Sequence, residues 1–353
     1  MSINVTNVFV VSTSLSSAIG GLLYAVTLMV SCVDGVGVAA NALMAVALML
    51  MRRGGGHLGP SGQTLTQQAL VDLLACVVSI EYNWDQMTFL PNGPDWLSAL
   101  ICYGWHSQQA FFLLMYLSVS NHIILASERL VAVQYPFHLQ NLSSLHYRTT
   151  VSVVWFVCCC LYNVPSFFYV SYDAPTNSCN SASYEGATEW LRYFSMSIAF
   201  FFFVLPLVLL VVINGLTVRA LRRDSFPIQR DTAGRGSTSA HLSTTNDLKR
   251  RASVQLLRTS IALTVVFLLA MVYNNVIYTI QDVMGFYFGV TSIENVLGLT
   301  LQGINFTLNP FVLFIFLPGI RKQLLSVFAF SLIVRKNSVK SITKETRSLE
   351  ALS

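Results

Sequence analysis

The chain has 353 residues, of which 54% are hydrophobic and 10% are charged, and it carries a net charge of +5. Soluble domains usually have about 25% charged residues, so the polar surface here is too small to cover a water-soluble body of this size. This composition excludes an ordinary soluble protein, and no nucleic acid partner is expected.

Seven apolar blocks follow one another along the chain. They predict an all-α membrane protein, a seven-transmembrane helix bundle within residues 17–317. Each block is long enough to cross about 30 Å of hydrocarbon at about 1.5 Å per residue. We number the blocks as spans one to seven in chain order: Ser17–Met51, Leu65–Leu90, Leu97–Gln134, Arg148–Val170, Glu189–Leu221, Leu257–Gln281 and Asn295–Leu317.

Basic residues lie in alternate connections between the spans. We call the side that holds Arg52 and Arg53 the inner side and the opposite side the outer side. Every Lys and Arg except Arg192 then falls on the inner side. Positive residues favour the cytoplasmic side, so the pattern predicts a multi-pass membrane protein whose N-terminus, residues 1–16, lies outside the cytoplasm. This outward segment holds Asn4 in an Asn-Val-Thr sequon, a candidate glycosylation site.

Span two contains an acid, Asp72, amid apolar residues in the stretch ALVDLL. A charged side chain inside a span is costly enough to be a functional candidate by default. Polar residues at comparable depth are Asn41, Ser118, Asn305 and Asn309. If these side chains converge on the carboxylate, they form a chamber suited to a monovalent cation with water. A proton-relay aspartate and an aspartate hydrogen-bonded between helices are the alternatives.

Two of the seven cysteines, Cys102 and Cys179, fall at the outer ends of the bundle. The outer side is oxidising, which favours a disulfide that ties the second outer loop to span three. Two unrelated thiols are the alternative. The other five cysteines lie within spans, where cysteine usually acts as a small apolar residue.

The inner segments are polar and carry a candidate modification site. Inner loop three, about residues 222–248, includes a Ser-, Thr-, Gly- and Arg-rich stretch that is expected to be flexible. Ser253 follows a basic run and is a candidate phosphorylation site, with a solvated basic helix end as an equal alternative. Beyond span seven, residues 318–332 predict a short amphipathic eighth helix on the inner membrane surface, and residues 333–353 form a cytoplasmic tail.

Span seven interrupts its own helix at Pro310. Proline removes one backbone donor and clashes with the carbonyl four residues earlier. A neighbouring side chain such as that of Asn309 is expected to satisfy the freed carbonyl and to leave a kink. Pro206 in span five and Pro165 in span four can act in the same way.

In this order, these residues resemble the motifs of the rhodopsin-like (class A) G-protein-coupled receptors, and the resemblance covers essentially all seven spans. The matching residues are Asn41, Asp72, Trp96, Cys102, Glu128, Arg129, Pro136, Trp155, Cys179, Pro206, Asn309 and Pro310. The resemblance implies a receptor, not an enzyme, that lies in the lipid bilayer of the plasma membrane with its N-terminus extracellular. Such a receptor binds an extracellular ligand and activates a heterotrimeric G protein. It also implies the extracellular disulfide, a sodium pocket around Asp72 as the one cofactor site, and arrestin and receptor kinases as further partners.

The switch of such a receptor lies at the inner end of span three, in the stretch LASERLVAVQYPF. Glu128 is expected to hold Arg129 by a charge-assisted hydrogen bond in the resting state. Its release frees the guanidinium, with all its donors, to face an incoming partner. Pro136 then ends or tightens the helix, and Asn309 and Pro310 supply the coupled kink in span seven.

Several motif positions depart from the family's pattern. Tyrosines are replaced by Leu130, Asn214 and Leu313, and Ser253 stands where some members place an acid. Span six lacks the tryptophan and the proline of its usual motif, and Cys102 precedes Arg129 by 27 residues, two more than usual. With Glu128 as the only resting clamp, measurable basal activity is expected. A decoy-like receptor that binds ligand but couples poorly stays open as an alternative, followed by a transporter or channel.

Charges near the outer side constrain the class of ligand. No span contains the lysine that a retinal opsin needs, and the outer half of span three lacks the aspartate of biogenic-amine receptors. Acidic residues at the outer side favour a cationic ligand, first of all a peptide with basic residues and otherwise a small molecule. Glu81 is expected to be a buried acid in span two. The candidate ligand-binding residues are Glu81, Gln108, Gln109, Glu189, Asn274, Tyr278, Gln281 and Glu294.

Overall fold

The computed structural model describes residues 5–53, 61–85, 94–106, 108–134, 145–164, 170–181, 189–223, 238–284 and 293–325. In chain order, the helices are Val5–Arg53, Ser61–Asp85, Asp95–Ile101, Gln109–Gln134, Leu145–Asn163, Glu189–Ala199, Leu205–Arg223, Thr238–Met284 and Ile293–Phe316. Short π-helical turns within spans three and five are Cys102–His106 and Phe200–Val204. Two strands between spans four and five are β1, Val170–Asp173, and β2, Ser178–Ser181.

Six of the described helices are long and apolar enough to cross a membrane, and they fall in spans one, two, three, five, six and seven. Span four contributes a shorter apolar helix, Thr150–Tyr162. Span one packs against spans two and seven, and span three packs against spans two, five and six. The predicted all-α bundle of seven spans is confirmed.

Two helices begin earlier than the sequence predicts. Span one begins at Val5 rather than near Ser17, because no proline or glycine interrupts the intervening residues. Span six begins at Thr238, so the second half of the predicted loop, about residues 222–248, is helical where it is described. From Thr238 to Met284 the chain contains no proline or glycine to stop a helix. The prediction of a flexible loop was therefore wrong for this part.

Span four ends earlier than the sequence predicts, and a β-hairpin follows it. The helix ends at Asn163, and Val170, predicted to close the span, instead begins β1. The two strands pair antiparallel with Tyr172 opposite Cys179. Cys179 on β2 forms a disulfide with Cys102 of span three, with 5.5 Å between the two Cα atoms. The predicted disulfide is confirmed, and it fixes this hairpin to the outer end of span three.

Span three is not the continuous helix that the sequence predicts for Leu97–Gln134. Its outer part contains the π-helical turn Cys102–His106, a form that holds more residues per turn than an α-helix. Gln108 then adopts a positive φ of 62°, which is uncommon for any residue other than glycine. Both the π-helical turn and the break at Gln108 lie between Cys102 and Arg129. The rest of the span, Gln109–Gln134, is a continuous α-helix.

Buried apolar side chains form two clusters at different depths of the bundle. The outer cluster contains Phe111, Phe267 and Phe306, and the rings of Phe111 and Phe306 meet edge to face with centroids 5.8 Å apart. The inner cluster contains Leu48 and Leu313, among others. Span two contributes residues before position 70 to the inner cluster and residues after position 74 to the outer one. Asp72 therefore lies between the two apolar clusters.

A short helix follows span seven at residues 318–325. Ile320 and Leu324 are buried in the inner cluster, whereas Arg321 and Lys322 are exposed. This distribution agrees with the amphipathic eighth helix predicted for residues 318–332, of which 326–332 lie outside the described residues.

The contact between spans one, two and seven leads to a first prediction. Gly37→Ala is expected to lower the free energy of unfolding by about 1–3 kcal/mol, because a Cβ there would collide with the Thr307 hydroxyl and with the Cys76 thiol. Thr307 is β-branched and cannot easily rotate away. Gly35→Ala is the matched control on the same helix, since a Cβ at Gly35 meets nothing within 4 Å and alanine is the better helix former. Thermal unfolding measures both variants, and equal stability would contradict the close packing at Gly37.

Candidate functional site

The centre of the site is the fully buried carboxylate of Asp72. Its Oδ1 accepts hydrogen bonds from Gln68 Nε2 and from Ser118 Oγ, both at 2.8 Å. Its Oδ2 accepts from Gln68 Nε2 at 2.9 Å and from Asn309 Nδ2 at 2.8 Å. Three spans therefore meet at this carboxylate: span two through Gln68, span three through Ser118 and span seven through Asn309.

Gln68 is the member of this site that the sequence prediction missed. It is buried, and its Nε2 also lies 2.6 Å from Ser118 Oγ. The amide has two hydrogens for these three acceptors, so one hydrogen is shared between two of them. Gln68 precedes Asp72 by four residues, which places both side chains on one face of the helix. A glutamine and an aspartate at this spacing are a known hydrogen-bonding pair, so the signal was present in the sequence.

These contacts do not suit a sodium ion at Asp72. Both carboxylate oxygens already accept hydrogen bonds from N–H and O–H groups, whose hydrogens would face a cation placed there. The Ser118 hydroxyl donates to Asp72 and accepts from Gln68, so its oxygen is engaged as well. The arrangement corresponds to the alternative in which an aspartate is hydrogen-bonded between helices.

The other two residues of the predicted pocket lie nearby but do not bond to Asp72. Asn41 Nδ2 donates to the carbonyl of Phe306 at 3.1 Å and to the carbonyl of Gly37 at 3.0 Å. Pro310 follows Phe306 by four residues, so Asn41 satisfies the carbonyl that the proline frees. The prediction that Asn309 does so was wrong, because its amide is bonded to Asp72.

Asn305, the remaining predicted pocket residue, is fully buried in span seven. Neither atom of its amide group has a hydrogen-bond partner among the described residues. It therefore adds unused hydrogen-bonding capacity close to the site but no contact to the carboxylate.

Polar contacts continue from Asp72 toward the inner side. Asn309 Nδ2 lies 3.4 Å from Nε2 of the buried His122 in span three. Arg129 follows His122 by two helical turns on the same face of this span. His122 was not singled out from the sequence, although a histidine in an apolar span is a visible signal. Asp72, Asn309 and His122 thus form a polar series that leads toward the inner side, and Arg129 lies two helical turns beyond His122.

Arg129 is buried, with only 4% of its surface exposed. None of its three guanidinium nitrogens has a hydrogen-bond partner among the described residues. Glu128 instead accepts a hydrogen bond from Thr64 of span two, through Oε1 at 2.9 Å. The predicted resting hydrogen bond between Glu128 and Arg129 is therefore absent from this structure, because the acid has turned to a neighbouring span. Pro136 lies outside the described residues.

The candidate ligand residues are distributed unevenly over the outer half. Gln108 is buried and donates a hydrogen bond to the hydroxyl of Tyr82 in span two. Asn274 is buried against Gly298 of span seven. Gln109 and Glu294 are partly buried. These positions bring spans two, three, six and seven together near the outer side.

Other candidates are placed less favourably or fall outside the description. Glu81 is exposed, so the prediction of a buried acid in span two was wrong; the helix turns this residue away from the packed face. Four further candidates have helical backbones, but their side chains lie outside the described residues: Glu189, Tyr278, Gln281 and Ser253. Asn4 lies outside the described residues altogether.

Span one carries a second buried acid, Asp34, that was not included among the site residues. It is fully buried, and Ser79 of span two lies within hydrogen-bonding reach of its carboxylate. A Cβ added to Gly303 would lie 2.7 Å from its Oδ1, so the glycine in span seven leaves the space that the carboxylate occupies. An aspartate in an apolar span was the available signal.

Comparison with known families agrees with this architecture. The family model described as "7 transmembrane receptor (rhodopsin family)" matches residues 60–313, more than half of the chain. The matched region includes the Asp72 contacts, the disulfide and Arg129. No curated protein matches the chain.

Proposed function

Because this chain belongs to the rhodopsin family of seven-transmembrane receptors, we propose that it binds an extracellular ligand and activates a heterotrimeric G protein. The proposal places the chain in the plasma membrane, with its outer side and N-terminus facing the extracellular medium. Arrestin and receptor kinases are proposed as further partners on the inner side. Proteins of this family are receptors, which favours this function over the transporter or channel alternative.

The observation that supports coupling most directly is the state of Arg129. A guanidinium is charged at all physiological pH values and offers five N–H donors in a planar fork. In this structure its nitrogens are buried without hydrogen-bond partners among the described residues. Burying such a group without partners is costly. Arg129 could therefore form hydrogen bonds with an entering protein without first breaking hydrogen bonds within the bundle.

Ligand binding and coupling are linked in this proposal through a shift between two arrangements of the bundle. A ligand that binds the open arrangement more tightly raises its population and exposes the inner cleft around Arg129. The polar series from Asp72 through Asn309 to His122 extends from the middle of the bundle toward this cleft. Its contacts lie between spans two, three and seven, which would have to rearrange together.

We propose a peptide with basic residues as the ligand. Acidic residues at the outer side attract such a ligand and raise its rate of association. Glu294 supports the proposal because it lies in the first turn of span seven and is partly buried, where it is less screened than an exposed acid. A small molecule with a cationic group fits the same observation.

A second prediction concerns this acid. Glu294→Gln is expected to lower the potency of a basic peptide agonist by about tenfold, because hydrogen bonds to charged groups contribute roughly 1.5–3 kcal/mol. Asp95→Asn is the matched control, since Asp95 lies at the outer end of span three but is exposed. Concentration–response curves for G-protein dissociation measure both variants. Equal potency losses would indicate general charge attraction rather than a contact at Glu294.

The proposed function is tested by expressing the full chain in cells and recording G-protein dissociation against a library of peptides and small molecules. A ligand-dependent signal supports the receptor function. Ligand binding without dissociation of any G protein would favour the decoy-like alternative. Ion or solute flux without G-protein activation would favour the transporter or channel.

A further inference from the structure

We propose that the side-chain amide of Gln68 takes the place of a cation at Asp72, so that this receptor needs no sodium ion at its polar centre. Gln68 Nε2 lies within hydrogen-bond distance of both oxygens of Asp72 and of the Ser118 hydroxyl. One neutral group thus supplies the positive hydrogens that the buried carboxylate requires. The inference depends neither on the ligand nor on G-protein coupling.

The orientation of the amide follows from its partners. The two Asp72 oxygens can only accept when the carboxylate is ionised, and the Ser118 hydroxyl donates its single hydrogen to Oδ1. The Gln68 group that faces them must therefore be the donor nitrogen rather than the acceptor oxygen. An amide oxygen turned toward the carboxylate would repel it unless a cation lay between them.

The contacts also show how completely the carboxylate is satisfied. Each oxygen of Asp72 accepts from Gln68 and from one further donor, Ser118 on Oδ1 and Asn309 on Oδ2. Hydrogen bonds to an ionised carboxylate are about twice as strong as those between neutral groups. The donors come from three spans, so the network stabilises their packing without an ion.

Removal of the amide should create the need for an ion. In Gln68→Leu, Asp72 keeps Ser118 and Asn309 as donors, but both oxygens lose the Gln68 contact and the new side chain offers no N–H group in its place. A buried charge without sufficient partners is costly, so a small cation becomes a favourable replacement. Leucine has a similar size and a high helix propensity, which limits other effects on span two.

The experiment measures thermal unfolding of the purified full-length receptor in sodium chloride and in choline chloride at equal ionic strength. The wild-type protein is expected to show the same midpoint in both salts. Gln68→Leu is expected to unfold at a lower temperature in choline and to gain about 2–4 °C on exchange into sodium. Line broadening in sodium NMR gives an independent readout of ion binding, which should be seen for Gln68→Leu and not for the wild type.

Two matched variants isolate the amide. Gln67→Leu changes the preceding glutamine, which contacts Ser152 of span four instead of Asp72, and is expected to remain insensitive to sodium. Gln68→Met keeps the length of the side chain without its N–H groups and is expected to behave like Gln68→Leu. It serves as the test if the Gln68→Leu protein does not fold. Asp72→Asn added to either Gln68 variant should abolish the sodium response.

Two results would overturn the inference. A sodium-dependent midpoint in the wild type that disappears in Gln68→Leu would show that Gln68 binds the ion through its oxygen. A wild type and Gln68 variants that are all insensitive to sodium would show that the amide does not substitute for a cation. Neither result bears on whether the chain activates a G protein.

Discussion

Arg129→Ala is expected to reduce both basal and ligand-dependent G-protein dissociation strongly. The wild-type receptor should have measurable basal activity, since Glu128 is hydrogen-bonded to Thr64 and the Arg129 guanidinium makes no hydrogen bond among the described residues. The loss should be roughly tenfold or more, because hydrogen bonds to a charged group contribute about 1.5–3 kcal/mol. Dissociation of G-protein subunits in cells that express equal amounts of each variant measures the effect.

The same substitution separates loss of coupling from loss of fold. Arg129 carries a buried charge without hydrogen-bond partners in the described structure, so its removal should not lower the free energy of unfolding. Arg53→Ala is the control, since Arg53 is exposed at the inner end of span one. A silent wild type would contradict the predicted basal activity. An unchanged signal in Arg129→Ala would contradict its role in coupling.

Loss of the Cys102–Cys179 disulfide should produce the largest loss of stability. The bond joins residues 77 positions apart. For a loop of this length, chain entropy alone predicts a stabilisation of about 4 kcal/mol. The bond also ties the β1–β2 hairpin to span three, next to the π-helical turn that begins at Cys102. Its loss should therefore lower ligand affinity as well as the midpoint of thermal unfolding.

A comparison of single and double variants tests whether the two cysteines act through one shared bond. Cys102→Ser, Cys179→Ser and the double variant should lose the same amount of stability, because each removes the same bond. Cys158→Ser is the matched control, since this cysteine is free and exposed in span four. Losses that add up in the double variant would indicate two separate contributions and argue against a functional disulfide in the purified protein.

The sequence by itself determined the class of the fold. Apolar blocks of membrane length are local properties of the chain, so composition and the positions of basic residues were sufficient to predict seven spans. The disulfide was predictable because only Cys102 and Cys179 fall at the outer ends of the bundle. Helix ends were less accurate, as at Val5 and Thr238, since polar residues without proline or glycine are compatible with both loop and helix.

The partners of the buried polar groups were decided only by the tertiary structure. Hydropathy places Asp72, Asn41 and Asn309 at similar depths, but not the direction in which each side chain points around its helix. That direction is set by the packing of neighbouring spans, which brings Gln68 rather than a predicted ion to Asp72. The same packing brings Asn41 rather than Asn309 to the carbonyl freed by the proline in span seven.

The break in span three is a further feature that the sequence indicated only in part and that the structure located. The sequence revealed that Cys102 and Arg129 are separated by two more residues than the family usually has. Only the structure shows that a π-helical turn and the positive φ of Gln108 lie between these two residues. Backbone hydrogen bonds can be shifted at several places along a helix, and contacts with the hairpin and with span two select one of them. Local sequence therefore determined which segments cross the membrane, whereas contacts between spans determined which polar groups meet.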